Sequence, residues 1–368
     1  MATDLPLLRH GLQCQLFPLL EEQVGPLGDK DRMFLDVLAL LPPDLGLQRY
    51  AWCGDGRPPA SRLWLFHSFV AKAVYGFATN DALREALRSR ATLRRLCGWE
   101  SASDIPAECT FSRAFADFAA DQLPQLVHAT MVKLHCGPKL VGHVSHDSTA
   151  IEARERRAPT TPAPAAESPT APPRKRGRPK KGEEPPPPPP KRLELQPQRS
   201  LAENLAELPC ACDNGCKTGS KGQPEYWRGY KLHLDVIDGD IPVSAILTSA
   251  SLHDSQVAIP LMQMSTERVH WLYDLADAAY DARAIHEYSR CLGHVPIIEP
   301  VQRGDWIPLD PAQRQRFGQR SADERVNGRL KDEFGGRTVR VRGGLKVMAH
   351  LMFGILVITA LGIWSRLC

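Results

Sequence analysis

The sequence predicts an α/β protein, a mixed sheet flanked by helices and preceded by an all-helical N-terminal domain, and three features carry that prediction. Residues from about 30 to 135 set apolar side chains at helical spacing. From Leu140 onward the order becomes three strands, helix, strand, helix, strand, helix, which suits a sheet of mixed strand direction. Between the two patterns, from Arg154 to about Ser200, the chain is largely Pro, Ala, Lys and Arg. The expected units are therefore a helical domain at 1–138, a sheet domain at 139–153 and 201–368, and a disordered, solvent-exposed insert at 154–200.

A chain of 368 residues can bury a large core in two or three units. Its formal net charge of +4 is modest, but the cations are clustered, and local field is what attracts a polyanion. The N-terminus MATDLPLLRH lacks a basic start followed by an apolar run, so the ten cysteines are expected to be reduced in a cytoplasm. No Gly-rich phosphate loop and no GxSxG elbow occurs, which argues against an ATPase or a serine hydrolase.

In the helical region, Met33, Phe34, Val37 and Leu38 form one apolar stripe and Leu63, Leu65, Phe66, Phe69 and Val70 another. Asn80 and Thr110 are expected as helix caps and Gly98 as a helix stop. Arg84, Arg88, Arg90, Arg94 and Arg95 could meet phosphates or simply form a solvated face. The run LVGHVSHDSTAI, rich in β-branched residues, is expected as a strand carrying Asp147. Six consecutive prolines from Pro185 to Pro190 can join neither ladder nor helix.

Beyond the insert, GYKLHLDVI and IPVSAIL flank Asp238, Gly239 and Asp240 as a hairpin. A helix is expected from Ser255 to Met264, with Asp254 either capping it or, with His253, ligating a metal. WLYDLA is an apolar strand ending at Asp277, followed by a helix over about 282–291 and the strand VPII. The last helical region starts at Ala322. Its apolar stretch from Val347 to Trp364 is long enough to span a bilayer, but its His350, Gly354 and Gly362 favour a buried core helix and no membrane association.

Two acidic residues at strand ends, Asp147 and Asp277, and one on a helix, Glu324, are candidates for one site. Transfer of a phosphodiester requires an activated oxygen nucleophile and a stabilised leaving alkoxide, and divalent ions held by two or three carboxylates supply both. On its helix Glu324 follows Arg320 by four positions and precedes Asn327 by three and Lys331 by seven, so cations flank a carboxylate on one face. Alone, Glu324 would be an ordinary surface ion pair; the set of three gives the pattern meaning. Asp281 is a rival to Asp277 that better suits a cap on the next helix.

The separations of Phe317, Arg320, Glu324 and Lys331 resemble the Tyr-Arg-Glu-Lys signature of DDE insertion-sequence transposases, with Phe in place of Tyr. LADAAYDARAI is similar to the second-aspartate segment of that family, HVSHDSTAI to the first, and YWRGYKLHLDV and TSASLHDSQ to its central strands and the helix that follows. PAECTFSRAFADF resembles the end of its N-terminal domain. The resemblance covers most of the chain except the insert. It implies a ribonuclease-H-like catalytic domain, magnesium (or manganese in its place), double-stranded DNA as terminal inverted repeats and target, action as a homodimer or higher multimer, and a cytoplasmic, nucleoid-associated location. By position it makes Asp147, Asp277 and Glu324 the catalytic metal ligands. Arg320 and Lys331 would bind phosphates, with Arg325 and Asn327 nearby; Phe317 could stack on a base but lacks the hydroxyl. Fewer than fifty residues separate Asp277 from Glu324, which leaves no room for a large β-rich insertion there.

Two further features stay open. Arg176, Gly177, Arg178 and Pro179 resemble an AT-hook core that threads a narrow minor groove, or a basic linker drawn to phosphates. Cys210, Cys212 and Cys216 could hold zinc with Cys136 or His233, but their irregular spacing favours free thiols.

Overall fold

The computed structural model describes residues 5–157, 190–218, 222–301 and 307–366. The N-terminal part is helical as expected: α1 (Leu5–Gly11), α2 (Phe17–Val24), α3 (Asp29–Leu40), α4 (Arg62–Tyr75), α5 (Asn80–Ser89), α6 (Ala91–Leu96), α7 (Glu108–Ala120) and α8 (Leu123–His135). Phe66, Phe69, Phe111 and Phe118 are fully buried at its centre, in edge-to-face pairs 6.0–6.2 Å apart.

The long strand β1 (Leu140–Glu152) opens the second part. Two short helices, α9 (Arg192–Leu195) and α10 (Leu201–Glu207), precede β2 (Asp213–Thr218), β3 (Pro224–Ile237) and β4 (Ile241–Ser249). Then come α11 (Ser255–Thr266), β5 (His270–Ala276), α12 (Arg283–Cys291), β6 (Val295–Ile298), α13 (Pro311–Phe317), α14 (Ser321–Asp332) and α15 (Gly344–Ser365). β1 lies antiparallel to β3 and parallel to β5, β5 is parallel to β6, and β2 and β4 pair antiparallel with β3. This is the mixed α/β sheet of a ribonuclease-H-like domain.

The strand period of two sorts the sheet into two faces. One face receives α11 and α12 over small apolar clusters containing Met262, Tyr280 and Ile285, and Val257 and Leu261. The other receives α14 and α15. By length and composition α15 could cross a membrane, but 89% of its apolar window is buried within the protein, as expected of a core helix. It packs on β4 and on α3, α4, α7, α8 and α14. One hydrophobic cluster thus runs from the N-terminal helices through α15 to the sheet.

Several local expectations need correction. Thr79, not Asn80, caps α5 through its hydroxyl, because Thr79 has the extended backbone of a cap and Asn80 is already helical. Thr110 lies inside α7, one turn later than expected of a cap. Gly98, with φ +101°, does end a helix. The expected insert is described only at its edges, and its C-terminal edge is ordered: Leu193 packs beside Ile285 and Tyr280, and Gln196 is buried and donates to the Gln256 carbonyl. Arg176 and Arg178 lie outside the described residues. Three of the five arginines between Leu83 and Arg95 bind backbone: Arg84 to Pro106 O, Arg94 to Leu87 O and Arg88 O, and Arg95 to Gln23 O.

Candidate active site

Asp147 and Asp277 come together by strand register. His146 of β1 stands level with Ala276 of the parallel strand β5, so the next residues, Asp147 and Asp277, are side by side at the point where β5 ends. Asp277 then caps a short turn, its carboxylate accepting from the Ala279 amide at 2.9 Å. The third acidic residue arrives on α14, which Ala322, Val326 and Leu330 anchor in the core at four-residue spacing.

A single guanidinium joins the three. Arg320 Nη2 lies 3.1 Å from Asp147 Oδ1 and 3.5 Å from Asp277 Oδ2, while its Nη1 is 3.9 Å from Glu324 Oε1. Asn327 Nδ2 donates to the other Asp147 oxygen at 3.0 Å. Burial pushes the Asp147 carboxyl up to about 6; the Arg320 charge opposes this and the neighbouring Asp277 charge adds to it.

The donor set is all oxygen, which suits a hard divalent cation, and it converges on one positive charge. Among the described residues no three acidic, His or Cys side chains stand close enough to close a metal shell. The Arg320 guanidinium occupies the space between the carboxylates, and the Glu324 side chain is 71% exposed.

Of the other expected site residues, Phe317 is half-buried, its ring 6.0 Å from the Arg320 guanidinium carbon. Lys331 is half-buried on the same helix, and burial lowers its pKa, with Lys217 and Arg337 adding to the effect. Arg325 is directed elsewhere: it makes a two-pronged ion pair at 2.8 and 2.7 Å with Asp240 in the hairpin turn, fastening α14 to that turn. Asp254 stands at the start of α11, but its carboxylate pairs with Lys231 Nζ at 2.8 Å and makes no cap. Asp281 does not cap α12 either; it accepts from His286 and from the Val301 amide. Cys210, Cys212 and Cys216 are free thiols.

Beneath the site is a polar network that the sequence analysis missed. His146, on the opposite face of β1 from Asp147, is fully buried between Asp235 of β3 (Nδ1 to Oδ1, 2.5 Å) and Asp274 of β5 (Nε2 to Oδ1, 3.1 Å). Burial disfavours its charged form, but the two carboxylates outweigh burial and raise its pKa to about 10. Burial pushes Asp274 up; hydrogen bonds from His146 and Ser289 reverse this and hold it well below the usual carboxylate range. Asp235 accepts from Ser265, and Asp274 from the Trp271 indole. The only sequence signal was a lone aspartate inside each of the apolar runs LHLDVI and WLYDLA. Asp323 was also missed: fully buried, with neither oxygen bonded among the described residues, it has a pKa raised by burial and by Asp147.

Residues 143–360 match a protein family described as a transposase DDE domain, and residues 34–117 match a second described as a transposase domain. No protein of curated function matches the chain. No solved structure does either.

Proposed function

The chain belongs to the transposase DDE family, whose domain takes in more than half of it, and from that premise we propose that it cleaves DNA at element ends and joins them to target DNA, with Asp147, Asp277 and Glu324 as its metal ligands. The observation that carries this reading is the shared guanidinium: three carboxylates from two strands and a helix, far apart in sequence, surround one positive charge. Magnesium, or manganese in its place, held by these residues would activate the attacking oxygen and neutralise the leaving one.

The chain's own groups do the rest. Asn327 holds one Asp147 oxygen and thereby fixes the direction of the other. Arg320, once released from the aspartates, is placed to take a phosphate oxygen beside the cut, and Lys331 extends the same positive face. The Phe317 ring supports the Arg320 guanidinium but offers no hydroxyl to the phosphate. The substrates are double-stranded terminal inverted repeats and target DNA, engaged by a dimer or higher multimer in the cytoplasm, at the nucleoid.

The test is cleavage of supercoiled plasmid bearing candidate ends, with magnesium, by wild type and Glu324→Gln at matched DNA binding. Wild type should nick and the variant should bind but cut at least about a thousandfold more slowly, the several kcal/mol that metal-held charge supplies. Equal cutting by both, or none by wild type with any divalent ion, overturns the assignment. A pre-cut end with a free 3′-hydroxyl, added to the same assay, separates strand joining from cutting alone.

A further inference from the structure

We propose that a cavity at the far end of β1 is a second DNA site, one that takes unpaired nucleotides near the cut; this rests on the transposase reading above and extends it beyond the triad. The cavity has a volume of about 1020 Å³ and lies where β1 ends and β3 continues paired with β2 alone. Glu152, at its mouth, is five residues beyond Asp147 on the same strand, which is about 17 Å, or some five nucleotide steps.

Its chemistry is that of a nucleic-acid groove. Arg154, Arg156, Arg228 and Arg342 line it, all are exposed, and none makes an ion pair among the described residues. Opposing charge is smaller: Glu152 and Glu155 set two negative charges against four positive ones, and the Glu155 carboxylate is turned to the Tyr230 hydroxyl and the Gly343 amide. Two aromatic side chains complete the lining, Tyr226 and Trp227. The Trp227 indole is spoken for: it donates to the Tyr230 carbonyl and its ring lies over Gly215, where an added Cβ would come within 2.3 Å of it. Tyr226 is not. It stands 75% exposed on a strand edge, and its ring meets no other ring or cation among the described residues.

The floor is rigid. An added Cβ at Gly229 would come within 2.1 Å of the Ile151 carbonyl oxygen, so β1 and β3 touch backbone to backbone immediately below the cavity. Exposed guanidinium groups alone would serve any phosphate backbone. An exposed tyrosine ring among them adds a platform on which an unpaired base outside the duplex can stack.

The test is equilibrium binding of the full chain, in EDTA so that nothing is cut, to labelled duplexes of one sequence that are blunt or carry a five-nucleotide single-stranded extension. Wild type should prefer the extended duplex. Tyr226→Ala should lower affinity for the extension roughly tenfold and leave blunt binding unchanged, while Tyr226→Phe, which keeps the ring, should behave as wild type. Arg228→Ala with Arg342→Ala should lower the salt slope for the extended duplex by roughly 1.5. An unaltered extension affinity in Tyr226→Ala, an equal loss on both duplexes, or an unaltered salt slope in the arginine variant overturns the proposal. Because no cleavage is needed, a wild type that fails to cut sinks the triad reading without touching this result, and a cutting enzyme indifferent to Tyr226 sinks only the cavity.

Discussion

His146 and Asp323 show how differently a buried charge can be treated a few ångströms from the same site. His146 is clamped by carboxylates on both sides, so removing it leaves Asp235 and Asp274 uncompensated in the interior. His146→Ala should cost about 3–5 kcal/mol of stability, measured by urea unfolding with an unchanged slope; a loss under 1 kcal/mol would show that the network is not charged as described. Asp323 has no hydrogen-bonding partner among the described residues, so it weakens the fold. Asp323→Ala should stabilise the protein by about 1–3 kcal/mol, and a lower melting temperature in that variant would mean that the carboxyl has a partner in solution. Sequence alone singled out Asp147, Asp277 and Glu324 as candidates because one lies in a β-branched run, one follows an apolar run and one sits in a spaced signature, although Asp147 stands mid-strand and not at the strand end expected of it. It could not locate His146 or Asp323 as special, since what distinguishes them is which side chains face them across the sheet.

At the scale of elements, α14 depends on α15. Gly354 lies against the Phe334 carbonyl and Leu330, where an added Cβ would come within 2.7 Å of backbone, so only glycine lets the two segments approach this closely. Gly354→Val should cost roughly 1–3 kcal/mol through overpacking and should also slow cleavage, because the helix bearing Glu324 and Lys331 is displaced. Full cleavage activity in a destabilised Gly354→Val protein would show that α14 keeps its place without this contact. The buried character of α15 was legible in its uninterrupted apolar run. The caps were not: Thr79 and Asn80 are both good capping residues, and the choice between them rests on which has left helical backbone geometry.

For the molecule as a whole, acid should loosen the junction that α15 makes. His128 is buried between the Pro242 carbonyl and Thr359, and His350 bonds the Gly335 carbonyl. Burial lowers their pKa values to about 3 and about 4, and the nearby Arg268 and Lys72 charges act in the same direction. Both stay neutral in the fold but would take up protons when unfolded, at about pH 6.5. Their contribution is therefore present above that pH and is lost as pH falls toward 4, by about 1.4 kcal/mol per unit for each. Calorimetry from pH 7.5 to 5 should show a falling melting temperature with proton uptake on unfolding; a flat profile would mean that neither histidine is buried neutral. His146, with its raised pKa, is protonated in both states below about pH 6.5 and adds nothing to the slope there, while above that pH it acts in the opposite direction. By itself the sequence determined the order of β1, β3, β4, α11, β5, α12 and β6, though not β2, α9 or α10, and it singled out three acidic candidates and the core helix, because periodicity, spacing and apolar run length are properties of neighbouring residues. Only the tertiary structure decided that the N-terminal helices share one core with the sheet, that Arg325 holds a turn and leaves the three carboxylates to Arg320, and that four arginines with no ion pair among the described residues meet an exposed tyrosine beyond β1. Those facts depend on contacts between segments up to hundreds of residues apart, and no local pattern encodes which of them will meet.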